Sequence, residues 1–221
     1  MIKLPSQCAI CRAWPSHALC DQCVAAFARP VLRCPLCATE LSTLACSACA
    51  QQAPELDACC VALSYTWPWT SLIAKFKFYN DAAWARQFAL LMKSAPFAED
   101  ALLHAQVLIP IPLSKERLSQ RGFNQSLMLA QQLSRHQTQS QTLLRLKNTV
   151  PQSSLKRSQR LTNLTGAFAV SPLKAAQLRG KNILLIDDVV TSGATLNFAA
   201  RVLKQAGANH VGALVLAKTP H

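Results

Sequence analysis

At 221 residues and 51 % hydrophobic content, the chain is long enough for one sizeable core and a small accessory unit. Its formal charge of +13, from 23 Lys and Arg against 10 Asp and Glu, points to an anionic partner, whether nucleic acid, a polyphosphate substrate or an acidic protein, with a plain soluble basic surface as the other reading. No apolar run reaches 18 residues, and the opening MIKLPSQCAI lacks the apolar core of a signal peptide. Neither a membrane-spanning helix nor a leader is expected, and the protein is assigned to the cytoplasm.

The chain begins with a cysteine repeat. Eight of the ten cysteines form four C-x-x-C pairs, Cys8/Cys11, Cys20/Cys23, Cys34/Cys37 and Cys46/Cys49, and a shift of 26 residues maps the first two pairs onto the last two. A cytosolic chain keeps thiols reduced, so this density argues for metal over disulfides. Each knuckle aims two thiolates at one point, and two knuckles complete the tetrahedral shell of a structural zinc. The repeat favours two sequential sites, in residues 8–23 and 34–49; interleaving of alternate knuckles is the competing arrangement. With no open coordination position such zincs stabilise a fold that has too little apolar content to stand alone. Two occupied sites would lower the formal charge by four, to about +9. Redox chemistry is the weaker reading, because four pairs in register exceed its needs. Cys59 and Cys60 fall outside the repeat and read as buried residues.

The next stretch reads as a strand or turn and then helix, with an apolar stripe of Leu72, Ile73 and Phe76 and a second one of Trp84, Phe88 and Leu91. Lys75 reads as solvated, while Lys77 is placed to reach a site. Val107 to Ile109 form a buried strand stopped by Pro110 and Pro112. A loop with Lys115, Arg117 and Arg121 is expected before a helix beginning near Asn124, whose core face carries Leu127, Ala130 and Leu133. Arginine forks there suit a pyrophosphate, gripped through charge-assisted bidentate bonds. The polar, basic stretch TVPQSSLKRSQRLTNLTGAFAV follows, ending in a strand at GAFAV. Its length between core strands makes it a candidate lid, with Arg157, Arg160 and Asn163 facing a ligand and Lys156 turned to water. Residues 112–181 hold twelve basic residues against Glu116 alone, a net of +11, whereas residues 1–60 are neutral overall.

The last quarter carries ILLIDDVVTSGATL, residues 183–196. Ile183 to Ile186 read as a strand buried on both faces of a parallel sheet. Leu196, Ala199, Ala200 and Leu203 recur at helical spacing up to Gly207. Thr191 to Thr195 therefore join a strand end to a helix N-terminus, where backbone N–H groups and the helix dipole favour an anion. Small residues let a phosphate approach, and the hydroxyls can add hydrogen bonds. Asp187 and Asp188 suit vicinal sugar hydroxyls or a divalent cation, and a diol beside a phosphate describes a ribose 5-phosphate. A P-loop ATPase would need G-x-x-x-x-G-K-[ST], which none of the six glycines provides. A receiver domain would need further βα units after its acids, but only one helix and the strand HVGALVLAKT remain.

ILLIDDVVTSGATL resembles the phosphoribosyl-pyrophosphate (PRPP) motif of type I phosphoribosyltransferases. Together with KF at Lys77–Phe78, IPIPL…R…RGFNQ from Ile109 to Gln125, the T..Q..L....R..NL.GAF pattern from Thr149 to Phe168, and the cysteine-rich front, it resembles the ComF family of bacterial competence proteins. That resemblance implies an α/β fold, with a double zinc ribbon at residues 1–55 and a phosphoribosyltransferase-type parallel-sheet domain at 56–221. It implies that Asp187, Asp188, Thr191, Ser192, Gly193, Ala194 and Thr195 bind PRPP with Mg²⁺. Lys77, Arg117, Arg121, Asn124, Arg157, Arg160 and Asn163 are then the candidates for pyrophosphate or DNA. Asp187, Asp188 and Arg160 would be catalytic if PRPP is turned over. The implied role is handling transforming single-stranded DNA alongside the uptake channel and DNA-processing proteins, in the cytoplasm or at the inner-membrane uptake machinery. An active phosphoribosyltransferase with a base or nucleotide acceptor unrelated to uptake is the alternative. Phe123 is the main aromatic of the basic loops, so little base stacking is expected.

Overall fold

The computed structural model of the chain describes residues 6–43, 45–78, 83–146 and 166–220. The cysteine repeat is also a repeat of backbone. Helices α1 (Asp21–Phe27) and α2 (Ser47–Gln51) follow directly on Cys20 and Cys46, 26 residues apart. Arg12 and Ala38, each following a C-x-x-C pair, both take positive φ, 66° and 57°. Their amides donate to Cys8 O at 3.0 Å and Cys34 O at 2.8 Å. Such a left-handed turn swings the two thiols of a knuckle to one side.

Strand β1 (Ala58–Ser64) then enters the main sheet, followed by α3 (Trp69–Phe78), α4 (Trp84–Lys93), α5 (Ala98–His104) and β2 (Val107–Pro110). Helices α6 (Lys115–Arg121) and α7 (Gln125–Ser134) precede the short strands β3 (Leu143–Arg145) and β4 (Phe168–Val170), which pair antiparallel with each other. After α8 (Pro172–Ala175) the chain closes with β5 (Asn182–Val190), α9 (Ala194–Gln205) and β6 (His210–Lys218). The sheet order is β1-β6-β5-β2, all parallel.

Alternation along the strands feeds two apolar layers. Leu108, Leu184, Ile186, Leu214 and Leu216 join the cluster of Trp69, Phe76, Phe88 and Leu129 from α3, α4 and α7. Ile109, Ile183, Leu185, Val211 and Val215 join that of Leu196, Ala199, Ala200 and Leu203 from α9. Each large side chain so buried contributes about 1.5–3 kcal/mol. Both faces covered is the condition for an all-parallel sheet and explains the unbroken apolar runs of β5 and β6. Because the strands run one way, their carboxyl ends gather on one edge, where open α/β sheets bind ligands. Among the described residues no helix is long and apolar enough to cross a membrane.

One expectation is corrected. Residues Lys115 to Arg121 are a helix and not a loop: Ser114 caps it, its Oγ accepting from Arg117 N at 3.4 Å, and Gly122 ends it at φ 76°. Only Leu118 breaks the polarity of that segment, so apolar periodicity could not reveal it.

Candidate functional site at the carboxyl edge of the sheet

Two acids end the buried part of β5. Asp187 Oδ1 accepts from Ser126 Oγ at 3.0 Å and from the amide of Asp188 at 2.9 Å. Asp188, 7 % exposed, is paired with Lys77 Nζ at 3.1 Å. Burial and the adjacent Asp188 carboxylate push the Asp187 carboxyl up to about 7, against the pull of Lys77 and the two hydrogen bonds. Two carboxylates facing one ammonium leave a site that gains from further hydrogen-bond donors or a cation.

Beside this pair lies a cleft of about 430 Å³ lined by Lys77, Phe78, Arg117, Ser119, Gln120, Arg121 and Gly122. Arg117 and Arg121 stand four residues apart on α6 and so share a helical face. The Arg121 guanidinium lies 5.0 Å from the centroid of the Phe78 ring and donates to Gln125 Oε1 at 3.1 Å. Gln125 Nε2 in turn donates to Lys77 O at 3.5 Å. Burial lowers the pKa of Arg121, while the charges of Asp188 and Asp187 raise it and that of Arg117 lowers it.

The loop from Thr191 to Thr195 connects β5 to α9. Gly193 sits at the helix N-cap with φ 77°, a left-handed conformation that suits glycine. Asn197 fastens the loop, its Nδ2 donating to Gly193 O at 3.1 Å and its Oδ1 accepting from Glu55 N at 2.7 Å. Lys218, the last residue of β6, donates from Nζ to Thr191 O at 3.0 Å.

The cysteines resolve into two groups, Cys8/Cys11/Cys20/Cys23 and Cys34/Cys37/Cys46/Cys49, in each of which the four Sγ atoms lie within 4.8 Å of one another. The sequential arrangement is therefore the observed one. Sulfurs about 3.8 Å apart are what a tetrahedron with Zn–S of about 2.3 Å requires. The pairs Cys11/Cys20, Cys34/Cys49 and Cys37/Cys46 stand 3.6, 3.7 and 3.7 Å apart. Both groups fit zinc. Burial acts to raise the Cys8 thiol, but amides of Cys11, Cys20 and Ile10 and the Cys20 side chain bring it down to about 6; burial and neighbouring thiols push Cys23 to about 12. Four thiols so close cannot all ionise without a cation to share.

Of the residues singled out from the sequence, Asp187, Asp188 and Lys77 come together, with Arg117 and Arg121 lining the adjoining cleft. Asn124 plays a different part. Its Oδ1 accepts from the amides of Ser126 and Leu127 at 2.9 and 3.3 Å, and its Nδ2 donates to Ile111 O at 3.0 Å. It caps α7 and thereby sets Ser126 against Asp187. Arg157, Arg160 and Asn163 lie outside the described residues. Phe123 packs on Phe76, ring centroids 5.8 Å apart, while Phe78, 66 % exposed, is the aromatic that faces outward at the cleft. Neither Ser126 nor Lys218 stands out in the sequence as a site residue. A lone cation closing the apolar run of β6 is the available signal for Lys218.

Residues 121–221 match the family model for the phosphoribosyl transferase domain. Competence protein F of Haemophilus influenzae is 32 % identical over 194 residues, covering 84 % of each chain. The DNA utilization protein YhgH of Salmonella typhimurium is 30 % identical over 230 residues, covering 99 % of this chain and 100 % of its own. Competence protein ComFC of Bacillus subtilis is 41 % identical over 135 residues, 61 % of this chain and 53 % of that one.

Proposed function

This chain belongs to the ComF family of competence proteins, and from that premise we propose that its carboxyl-edge cleft binds PRPP with Mg²⁺ and handles single-stranded DNA during natural transformation. One observation carries the reading: the Asp187–Asp188 pair lies on β5 just before the Thr191–Thr195 loop, and Asp188 is paired with Lys77, which lines a cleft with Arg117 and Arg121. In this reading the two carboxylates accept from the ribose hydroxyls and the loop amides and hydroxyls hold the 5-phosphate. The arginines of α6 take the pyrophosphate, whose charge Mg²⁺ shares when bound. Arg157 and Arg160, which lie outside the described residues, are further candidates for the pyrophosphate or DNA.

Single-stranded DNA would follow the same cationic rim through its backbone, with little sequence preference. Phe78, with Arg121 over one face, offers a surface on which a base can stack. That ring also favours a second reading, transfer of the 5-phosphoribosyl group to a base or nucleotide acceptor. Its transition state has oxocarbenium character, so the protein's part would be positioning the sugar and stabilising departing pyrophosphate.

Calorimetry with Mg²⁺ and PRPP tests the shared core of both readings. Wild type should bind, and Asp187→Ala with Asp188→Ala should weaken binding roughly ten- to hundredfold, the loss of charged hydrogen bonds. Equal affinity in the double variant rejects the ribose role of the acids. Pyrophosphate release on mixing PRPP with a panel of bases, measured on the same protein, separates turnover from binding.

A further inference from the structure

Lys218 is 3 % exposed at the end of a strand whose residues Val211 to Ala217 are all buried. Among the described residues its Nζ donates one hydrogen bond, to Thr191 O at 3.0 Å, and no carboxylate lies within ion-pair distance of it. A buried ammonium without a carboxylate is costly, and an apolar residue would suit this strand better. Packing of the fold therefore gives no reason for a lysine here; its position does. Thr191 is the first residue of the loop between β5 and α9. A carbonyl turned into an anion site would repel the ligand, and one tied inward leaves the following amides to face it. A cation behind the loop, screened from water, also adds to the field on a dianion.

We propose that Lys218 is a positioning residue for a phosphate monoester at the Thr191–Thr195 loop, holding the Thr191 carbonyl inward and setting a positive charge behind the phosphate. The inference rests on the phosphoribosyl reading of this loop and adds to it a residue from a different strand. The groups around Lys218 include Ser64, its partner in the β1–β6 register, and Arg33, Cys34, Cys37 and Cys59. The rival role is therefore a counter-charge to the second thiolate cluster, which predicts zinc loss and not selective loss of phosphate.

The test uses the full, zinc-loaded chain with ribose 5-phosphate and Mg²⁺–pyrophosphate as separate calorimetric probes. Lys218→Met should weaken ribose 5-phosphate about tenfold or more and leave pyrophosphate within about threefold, with two zincs retained and unliganded melting no lower. Lys218→Arg should restore ribose 5-phosphate to within about threefold of wild type. Lys218→Gln can still donate to the carbonyl without a charge and should lose about fivefold; it keeps the proposal falsifiable if the Met variant does not fold. Ribose 5-phosphate binding unchanged in either folded variant, equal loss of both probes, or loss of one zinc each overturns the proposal. A wild type that binds Mg²⁺–pyrophosphate but not ribose 5-phosphate overturns it too. A wild type that binds neither probe overturns the phosphoribosyl reading first and this inference with it.

Discussion

The two halves of the cysteine repeat share spacing and backbone geometry but are built into different parts of the molecule. The first half docks on the helical layer: Leu19 joins the cluster of Trp69 and Phe76, Phe27 O accepts from Trp69 Nε1 at 2.8 Å, and the Phe27 ring meets Trp67 edge-on at 5.1 Å. The second half docks on the sheet. Ala38 is fully buried against Leu56, Cys59 and Val61, and Pro35 O accepts from Cys59 N at 2.7 Å. Arg33 reaches Ala38 O at 3.1 Å, Glu40 at 3.0 Å and Ser64 Oγ at 2.8 Å. Ser64 lies opposite Lys218, which holds Thr191. The second cluster is thus three contacts from the Thr191–Thr195 loop, whereas the first docks against α3, which carries Trp69 at one end and Lys77 near the other. Ligand spacing identifies a metal site but says nothing of what that site braces.

Removing both metals should have the largest effect. Structural zinc of this kind contributes about 10–16 kcal/mol of apparent binding energy to the fold it closes. The expected content is two zinc ions per chain, and a strong chelator should unfold both halves, measured by metal analysis and circular dichroism. Pairwise variants then separate the halves. Cys34→Ser with Cys49→Ser should lose one zinc and about tenfold or more in ribose 5-phosphate affinity. Cys8→Ser with Cys23→Ser should lose one zinc and melt lower, yet bind within about threefold. Equal losses of affinity in the two variants would erase the distinction.

The two four-cysteine groups and the loop between β5 and α9 were legible in the sequence for different reasons. The C-x-x-C register and the strand–loop–helix pattern at Ile183 to Leu203 are local, and local patterns survive in the chain. Ser126 against Asp187 is a contact across 61 residues, made possible by the Asn124 cap, and Lys218 against Thr191 joins two strands. Such pairs come from topology, which periodicity does not encode. The α6 helix is hidden in the sequence because a capped, polar helix has no apolar stripe, and with it is hidden the shared face of Arg117 and Arg121. Phe78 and Phe123 exchange roles for a similar reason: which of two nearby aromatics faces inward is decided by tertiary packing.

A smaller effect should come from the acid pair, which is held from α3 and α7, on the side where the first cysteine half docks. Asp187 is raised from 3.8 to about 7. The folded state therefore binds more protons than the unfolded state between those values, and this group's contribution to stability falls as pH rises through that window. Asp187→Asn removes the slope, so the variant should gain on wild type between pH about 5.5 and 8, by about 2 kcal/mol. Parallel denaturation curves at both pH values would show it. A constant difference between the two proteins would mean that Asp187 is not raised. The slope should persist when Cys34 and Cys49 are replaced and shrink when Cys8 and Cys23 are, if α3 shifts and Lys77 moves with it.

The smallest effect, and the one that most sharpens the comparison, concerns DNA. Residues 1–60 are electrically neutral in the metal-free count, while the rim of the cleft carries Lys77, Arg117 and Arg121. Binding of single-stranded DNA should fall steeply with salt, by about 0.7 units of log K per logarithmic unit of salt for each phosphate neutralised. Replacing both Arg117 and Arg121 by Ala should lower that slope by about 1.4. Helix α6 is held by its Ser114 cap and the Arg121–Gln125 bond, not by either thiolate cluster. The slope should accordingly be the same in the two cysteine-pair variants as in wild type, even where ribose 5-phosphate binding has been lost. Fluorescence anisotropy with a labelled oligonucleotide at several salt concentrations measures it. A drop in slope confined to the Cys34/Cys49 variant would place DNA on the second cysteine half itself, making that half a binding surface and not only a brace for the loop.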